Sequence, residues 1–342
     1  MTKKARPFSF SERKWLRHTL RIGFPILMGG AILWWMYRGF DWDVFRQAVS
    51  HDMNWTWMIL SLPFGILAQV FRATRWQQLL QPMGERPRLH TSICAIFISY
   101  GSSLVVPRSG EVLRCGVLNR YDGVSFSPSL GTVVTERVVD MICIIFLSAL
   151  VFLLQVPVFF RFFAQTGISL STYLGQFTGT GYLVTGISIL FIILTALWLT
   201  KRIRKKSPSG SMIDELLRGI TSLAKVRNKG LFAFYSLAIW ASYFLHFYLT
   251  FFCFGFTAEV GMKAAMVAFI IGTFAVLVPT PNGAGPWHFA VKTVLMLFGV
   301  PGENGAIFAL IVHSIQTLLV ALLGLYGFAA LAGMRAKHQQ QL

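Results

Sequence analysis

Runs of apolar residues long enough to cross a bilayer constrain this chain more than any other feature. A helix needs roughly 20 mostly apolar residues to span about 30 Å of hydrocarbon. Six segments approach or meet that length: Ile22 to Tyr37, Trp57 to Phe71, Val138 to Val156, Tyr182 to Thr200, Leu231 to Phe256 and Ala306 to Ala332. In lipid every backbone polar group must be satisfied internally, so such segments fold as helices. The expectation is an all-α polytopic membrane protein. It has a basic cytoplasmic tail at 1–19, one membrane domain at 20–335, and no soluble catalytic domain among its 342 residues.

The formal charge of +18 needs a reading, because a basic chain can also be a nucleic-acid binder. Such a binder presents Lys and Arg as one solvated patch or stripe. Here they are divided among 3–21, 72–88, 201–206, 218–229 and 335–337, the short connections that mark a cytoplasmic side. No nucleic-acid partner is expected. The charges place the protein in the cytoplasmic (inner) membrane with both termini cytoplasmic. Four cysteines, Cys94, Cys115, Cys143 and Cys253, lie in or beside apolar segments without metal-ligand spacing, so they read as core thiols and no cofactor is expected. The first apolar run passes Gly30 into Trp34, Trp35 and Tyr37 without a small-residue cleavage site, as in a retained span.

Two segments do not fit the pattern of full spans. Ile93 to Val106 is interrupted by Pro107-Arg108-Ser109-Gly110 before a short stretch from Glu111 to Leu118. Ala264 to Val278 is interrupted at 279–286 before Trp287 to Phe298. Each half is too short to cross, which predicts two re-entrant hairpins of broken helix. The two breaks are offset by roughly 172 to 175 positions, a spacing read as an internal repeat. An odd number of crossings separates them, which gives inverted repeats with halves at roughly 56–156 and 231–332, and a cytoplasmic connection at 201–230. Inverted repeats place substrate between broken elements near the midplane; two Pro-kinked hairpins that only pack are the plainer alternative.

Of thirteen acidic residues, three fall at membrane depth: Glu111, Glu136 and Asp140. Glu136 and Asp140, four apart, share one helix face, and Arg137 can pair with Asp140. This triplet is net negative. It can receive a cationic head group, pair with Arg108 and Arg114, or serve as a structural salt-bridge network near the interface. Glu111 and Arg114, three apart, can neutralise one another and leave Arg108 for a phosphate, which the planar guanidinium fork suits. Arg72 and Arg75 beside Trp76 read first as snorkelling residues with an aromatic belt, and second as phosphate ligands. In the second break Asn282, Gly283, Gly285 and His288 offer neutral polar groups to a head group or ion. His246, Lys292, His313 and Gln316 are also embedded, and His313 with Gln316 reads as a helix-to-helix hydrogen-bonding pair. Asp41 and Asp43 read as the start of an interfacial helix and not as a metal pair.

Arg75-Trp76, the segment from Pro107 to Arg114, the Glu136-Arg137-Val138-Val139-Asp140 run and the segment from Pro279 to Gly285 together resemble the flippase-like membrane region of lysylphosphatidylglycerol synthases and its stand-alone members. The resemblance runs from about residue 20 to 335. It implies translocation of a charged lipid between leaflets, an aminoacylated phosphatidylglycerol in the full-length synthases. Two departures leave the lipid unassigned. The first break is one residue shorter than the usual Pro-Gly-x-x-Gly-Glu form, and the second continues into Pro286-Trp287-His288 where many relatives carry an Arg-Glu pair. The expected partners are a membrane phospholipid or polyprenyl-phosphate lipid, with a second copy of the chain or a separate lipid-synthesising enzyme as protein partners. A membrane transferase using a lipid-linked donor, or a non-transporting accessory subunit, are the other readings.

Overall fold

The computed structural model describes residues 10–106, 109–156 and 211–339, with positions 187, 195, 198 and 202. Among these the regular structure is helical throughout. In chain order the α-helices are Phe10–Tyr37 (α1), Trp42–Gln47 (α2), Trp55–Leu80 (α3), Leu89–Val105 (α4), Ser109–Asp122 (α5) and Phe126–Leu154 (α6). They are followed by Met212–Ile220 (α7), Lys229–Tyr248 (α8), Gly255–Ala258 (α9), Gly261–Ala275 (α10), Pro286–Leu297 (α11) and Gly302–Gln339 (α12).

Four of the described helical stretches are long and apolar enough to cross a membrane: Trp55–Met83, Phe126–Leu154, Lys229–Cys253 and Gly302–Met334. Each covers all or nearly all of one of the runs read from the sequence. Of the first expected span, α1 is one continuous helix that includes the apolar stretch Pro25–Tyr37. The fifth, Tyr182 to Thr200, lies almost wholly outside the described residues. Asp41 caps α2 by accepting from the backbone N–H groups of Asp43 and Val44, the interfacial helix start expected there.

Two compact units interleave along the chain. The first comprises Met1–Pro63, Phe97–Gly110 and His246–Ala330; the second comprises Phe64–Ile96, Glu111–Leu245 and Leu331–Leu342. In the first unit, α10 and α11 pack on one another because Gly272 carries no side chain: a Cβ there would lie 2.9 Å from the Trp287 indole nitrogen. Also in this unit, α4 crosses α12 at Gly101 and Gly324, where a Cβ on either would lie 2.9 Å from the other's Cα. Such bare crossings let membrane helices approach closely. Gly110, opening α5, similarly sits directly against the Ser99 carbonyl of α4.

In the second unit the far ends of α4 and α5 also meet. The Asp122 carboxylate, at the end of α5, accepts from the backbone N–H and Nε of Arg88 at 2.9 and 2.8 Å, and from the Thr91 hydroxyl at the start of α4. The C-terminal face of α3 is secured by Leu79, which clusters with Val139 of α6, Val226 and Phe232.

Candidate functional site

The densest polar constellation lies in the second unit, where Arg72 and Arg75 of α3 and Arg114 of α5 converge on Glu136 and Asp140 of α6. Helical spacing explains the convergence. Residues three and four apart share a face, so Arg72, Arg75 and Trp76 form one stripe, and Thr132, Glu136 and Asp140 form the stripe opposite. Arg72 Nη1 donates to Asp140 Oδ2 at 2.6 Å, and Arg75 Nη2 donates to Asp140 Oδ1 at 2.7 Å and to Glu136 Oε1 at 3.3 Å. Arg114 Nη2 lies 2.6 Å from Glu136 Oε2, an ion-pair contact off the linear hydrogen-bond direction. A further shell holds the arginines in place. The Trp76 indole donates to Thr132 Oγ1 at 2.8 Å, the Arg114 guanidinium stacks 4.5 Å above the Trp76 ring, and Arg75 Nη1 donates to Ser236 of α8 at 3.3 Å.

All five charged residues are buried, from 0% exposed at Arg75 and Glu136 to 5% at Asp140. Burying a charge costs several kcal/mol unless it is paired. The pairing here is incomplete, because three guanidinium groups face two carboxylates, a buried excess of one positive charge. Arg75 Nε and Arg114 Nε are also buried without a hydrogen-bond partner among the described residues. Arg137 and Glu111 form a separate pair at 2.7 Å, 44% and 36% exposed, which adds no net charge and contributes about 0–1 kcal/mol.

This geometry revises several expectations. Arg72 and Arg75 do not snorkel, and Trp76 is no belt residue: they are 3%, 0% and 0% exposed and tie α3 to α6. Glu111 pairs with Arg137 and not with Arg114, so α5 does not neutralise itself. The Glu136 and Asp140 oxygens are occupied by arginines, so they present no open negative site for a cationic head group. Arg137 reaches Asp140 only at 3.8 Å. Arg108 lies outside the described residues.

The second break belongs to the first unit and is chemically different. Asn282 is the non-glycine residue there with positive φ, at 51°, flanked by Gly283 at 73° and Gly285 at 91°. Its left-handed backbone is held by a closed ring of hydrogen bonds. The Asn282 amide donates to Thr317 Oγ1 at 2.7 Å, the Thr317 hydroxyl donates to His313 Nδ1 at 3.4 Å, and His313 Nε2–H donates to the Asn282 carbonyl at 3.0 Å. A carbonyl only accepts, so the ring fixes the His313 tautomer. His288 is 2% exposed, accepts from the Gly285 N–H at 3.4 Å and lies 4.5 Å from the His313 ring. Helix α1 covers this turn: a Cβ on Gly285 would come within 2.9 Å of the Gly29 carbonyl oxygen. Elsewhere in this unit His246 donates Nδ1–H to the Ser61 carbonyl at 2.8 Å, a helix-to-helix bond.

Sequence reasoning placed Glu136, Asp140, Arg114, Arg72 and Arg75 among candidate ligands but missed Thr132 and Thr317 as members of these networks. The four-residue period through Thr132, Glu136 and Asp140 was the available signal.

Apolar helices of membrane-spanning length, with charged groups buried among them, are the features of an integral membrane protein. Residues 22–324 match the family model of the lysylphosphatidylglycerol synthase TM region, and the chain belongs to that family. It is also similar to a UPF0104 membrane protein of Methanothermobacter thermautotrophicus, 26% identical over 298 residues that cover 81% of this chain and 84% of that protein. No solved structure matches the chain.

Proposed function

We propose that this protein is a lipid flippase-like transporter that moves a lipid between leaflets by engaging an anionic head group at the arginine cluster. The observation that carries the reading is the buried excess of one guanidinium over the carboxylates, together with the unpartnered Nε groups of Arg75 and Arg114. A phosphate arriving there would bring the buried charge toward zero and accept from donors already oriented by Trp76 and Ser236. Membership of the lysylphosphatidylglycerol synthase TM family supports a lipid as the bearer of that phosphate. The lipid class is a phospholipid or polyprenyl phosphate.

Re-entrant hairpins in inverted repeats agree with the contact of Arg88 with Asp122 at the ends of α4 and α5, and with the packing of α10 on α11. The basic connections support an inner-membrane location with cytoplasmic termini. In this scheme the second break, built from Asn282, Gly283, Gly285 and His288, is a neutral gate that passes a head group without trapping it.

The test is transbilayer movement in proteoliposomes containing acyl-labelled phosphatidylglycerol, read by quenching with a membrane-impermeant reductant. The wild-type protein is expected to make inner-leaflet label accessible, and Arg114→Gln to slow this at least about tenfold, the loss expected for a charge-assisted contact. Movement at the protein-free rate would sink the transport reading.

A further inference from the structure

A second site follows from the way α7 is seated on α6 in the second unit. Two glycines make that seat. Gly131 lies against the Leu216 carbonyl, and Gly219 against the Pro128 carbonyl, so neither position has room for a Cβ. The Thr135 hydroxyl sits 3.0 and 2.8 Å from the Gly219 and Ile220 carbonyl oxygens, supplying a side-chain donor to the C-terminal end of the helix. This anchoring fixes the 3-10 turn Ser222–Lys225 that follows α7.

The turn separates two cavities of opposite character. One, of about 450 Å³, is lined by Glu85, Glu215, Arg218, Ser222 and Lys225. Two acids and two bases balance there, but they do not all pair with each other. Arg218 is held by Asp214 at 3.1 Å, and Glu85 accepts from the Ser125 N–H at 3.0 Å. Glu215 and Lys225 have no ion-pair partner among the described residues. Ser222 is 1% exposed, and its hydroxyl has no hydrogen-bond partner among the described residues. A buried unsatisfied hydroxyl is uncommon and points to a group that completes it. The other cavity, of about 510 Å³, is lined by Leu223, Ala224, Val226 and Phe232, with Lys229 as its charged member.

We propose that the turn is a docking site for a zwitterionic phospholipid. Its phosphate takes the Ser222 hydroxyl and the Lys225 ammonium, its amine takes Glu215, and part of an acyl chain lies against Leu223 and Phe232. Unpaired groups of both signs match a head group carrying both signs, whereas the arginine cluster matches an anion alone. The apolar cavity on the other face of the same turn selects a lipid over a soluble phosphate ester. The site is separate from the arginine cluster and does not depend on transport.

The experiment is a titration of the detergent-solubilised full chain, followed by native mass spectrometry. The probes are dihexanoyl-phosphatidylethanolamine, dihexanoyl-phosphatidylglycerol and free phosphoethanolamine. The ethanolamine lipid is expected to bind about tenfold more tightly than either other probe, and Ser222→Ala and Lys225→Ala each to weaken it by about tenfold. Arg227→Ala, which removes a nearby basic residue lining neither cavity, is expected to leave binding unchanged. Equal binding of the two lipids, or equal loss in Arg227→Ala, overturns the proposal. Phosphoethanolamine binding as tightly as the lipid overturns the assignment to a lipid.

Discussion

Beyond the first break the embedded polar groups are charged and tied across three helices; at the second they are neutral and tied between one turn and α12. Arg72, Arg75 and Arg114 meet Glu136 and Asp140 with no more than 5% exposure, while Asn282, Thr317 and His313 close a ring without formal charge. A charged network in a dry setting is fragile, because losing one member strands another. A neutral ring degrades gradually, since each bond contributes about 1 kcal/mol net. In the proposed transporter the first arrangement recognises the charged group and the second lets it pass.

Single substitutions can break this contrast. The largest effect is expected from Glu136→Gln, which leaves three guanidinium groups facing one carboxylate. It should cost about 3–5 kcal/mol, seen as a lower unfolding temperature in detergent. Arg75→Gln should cost less, because it brings the buried charge to zero while Arg72 still holds Asp140 and Arg114 still holds Glu136; the same melts give the ordering. An Arg75→Gln protein less stable than Glu136→Gln would show that charge excess is not what the cluster manages.

At the second break the expected losses are smaller. Asn282→Ala combines left-handed strain with a lost hydrogen bond, about 2 kcal/mol together, whereas Asn282→Gly keeps the backbone accessible and loses only the bond, about 1 kcal/mol. Denaturant titration in micelles would compare them, and Gly falling below Ala would contradict the strain argument. The smallest effect is expected from Arg137→Ala. Its pair with Glu111 is close to half-exposed, so the change in melting should be under about 1 kcal/mol and should shrink further with salt.

Apolar length was enough to locate α3, α6, α8 and α12, and prolines located both breaks. The start of α6 was harder to read. Apolar length starts that span at Val138, yet the helix begins at Phe126, and the Thr132 and Thr135 hydroxyls find partners on neighbouring elements. The same difficulty hid the arginine cluster. Basic residues near the end of a span usually reach for water, and only the rotation of α3, set by its packing on α6, turns Arg72 and Arg75 inward. Glu136 and Asp140 were recognisable as embedded carboxylates from their spacing alone. Their partners were not, because pairing between α3 and α6 joins residues more than sixty positions apart, and Arg114 reaches Glu136 from a different helix. The ring at Asn282 was half legible: Asn282, Gly283 and Gly285 stood out as polar groups at the break, but Thr317 carries no mark in the sequence that would tie it to residue 282.

The most direct test of the central claim is native mass spectrometry of lipids that stay with the purified protein, comparing wild type with Arg75→Gln at matched folding. The account predicts that wild type retains an anionic, phosphate-bearing lipid and that Arg75→Gln loses it by at least about tenfold. Unchanged retention in the variant, or retention of cationic lipid alone by wild type, would contradict an anion site at the buried arginines.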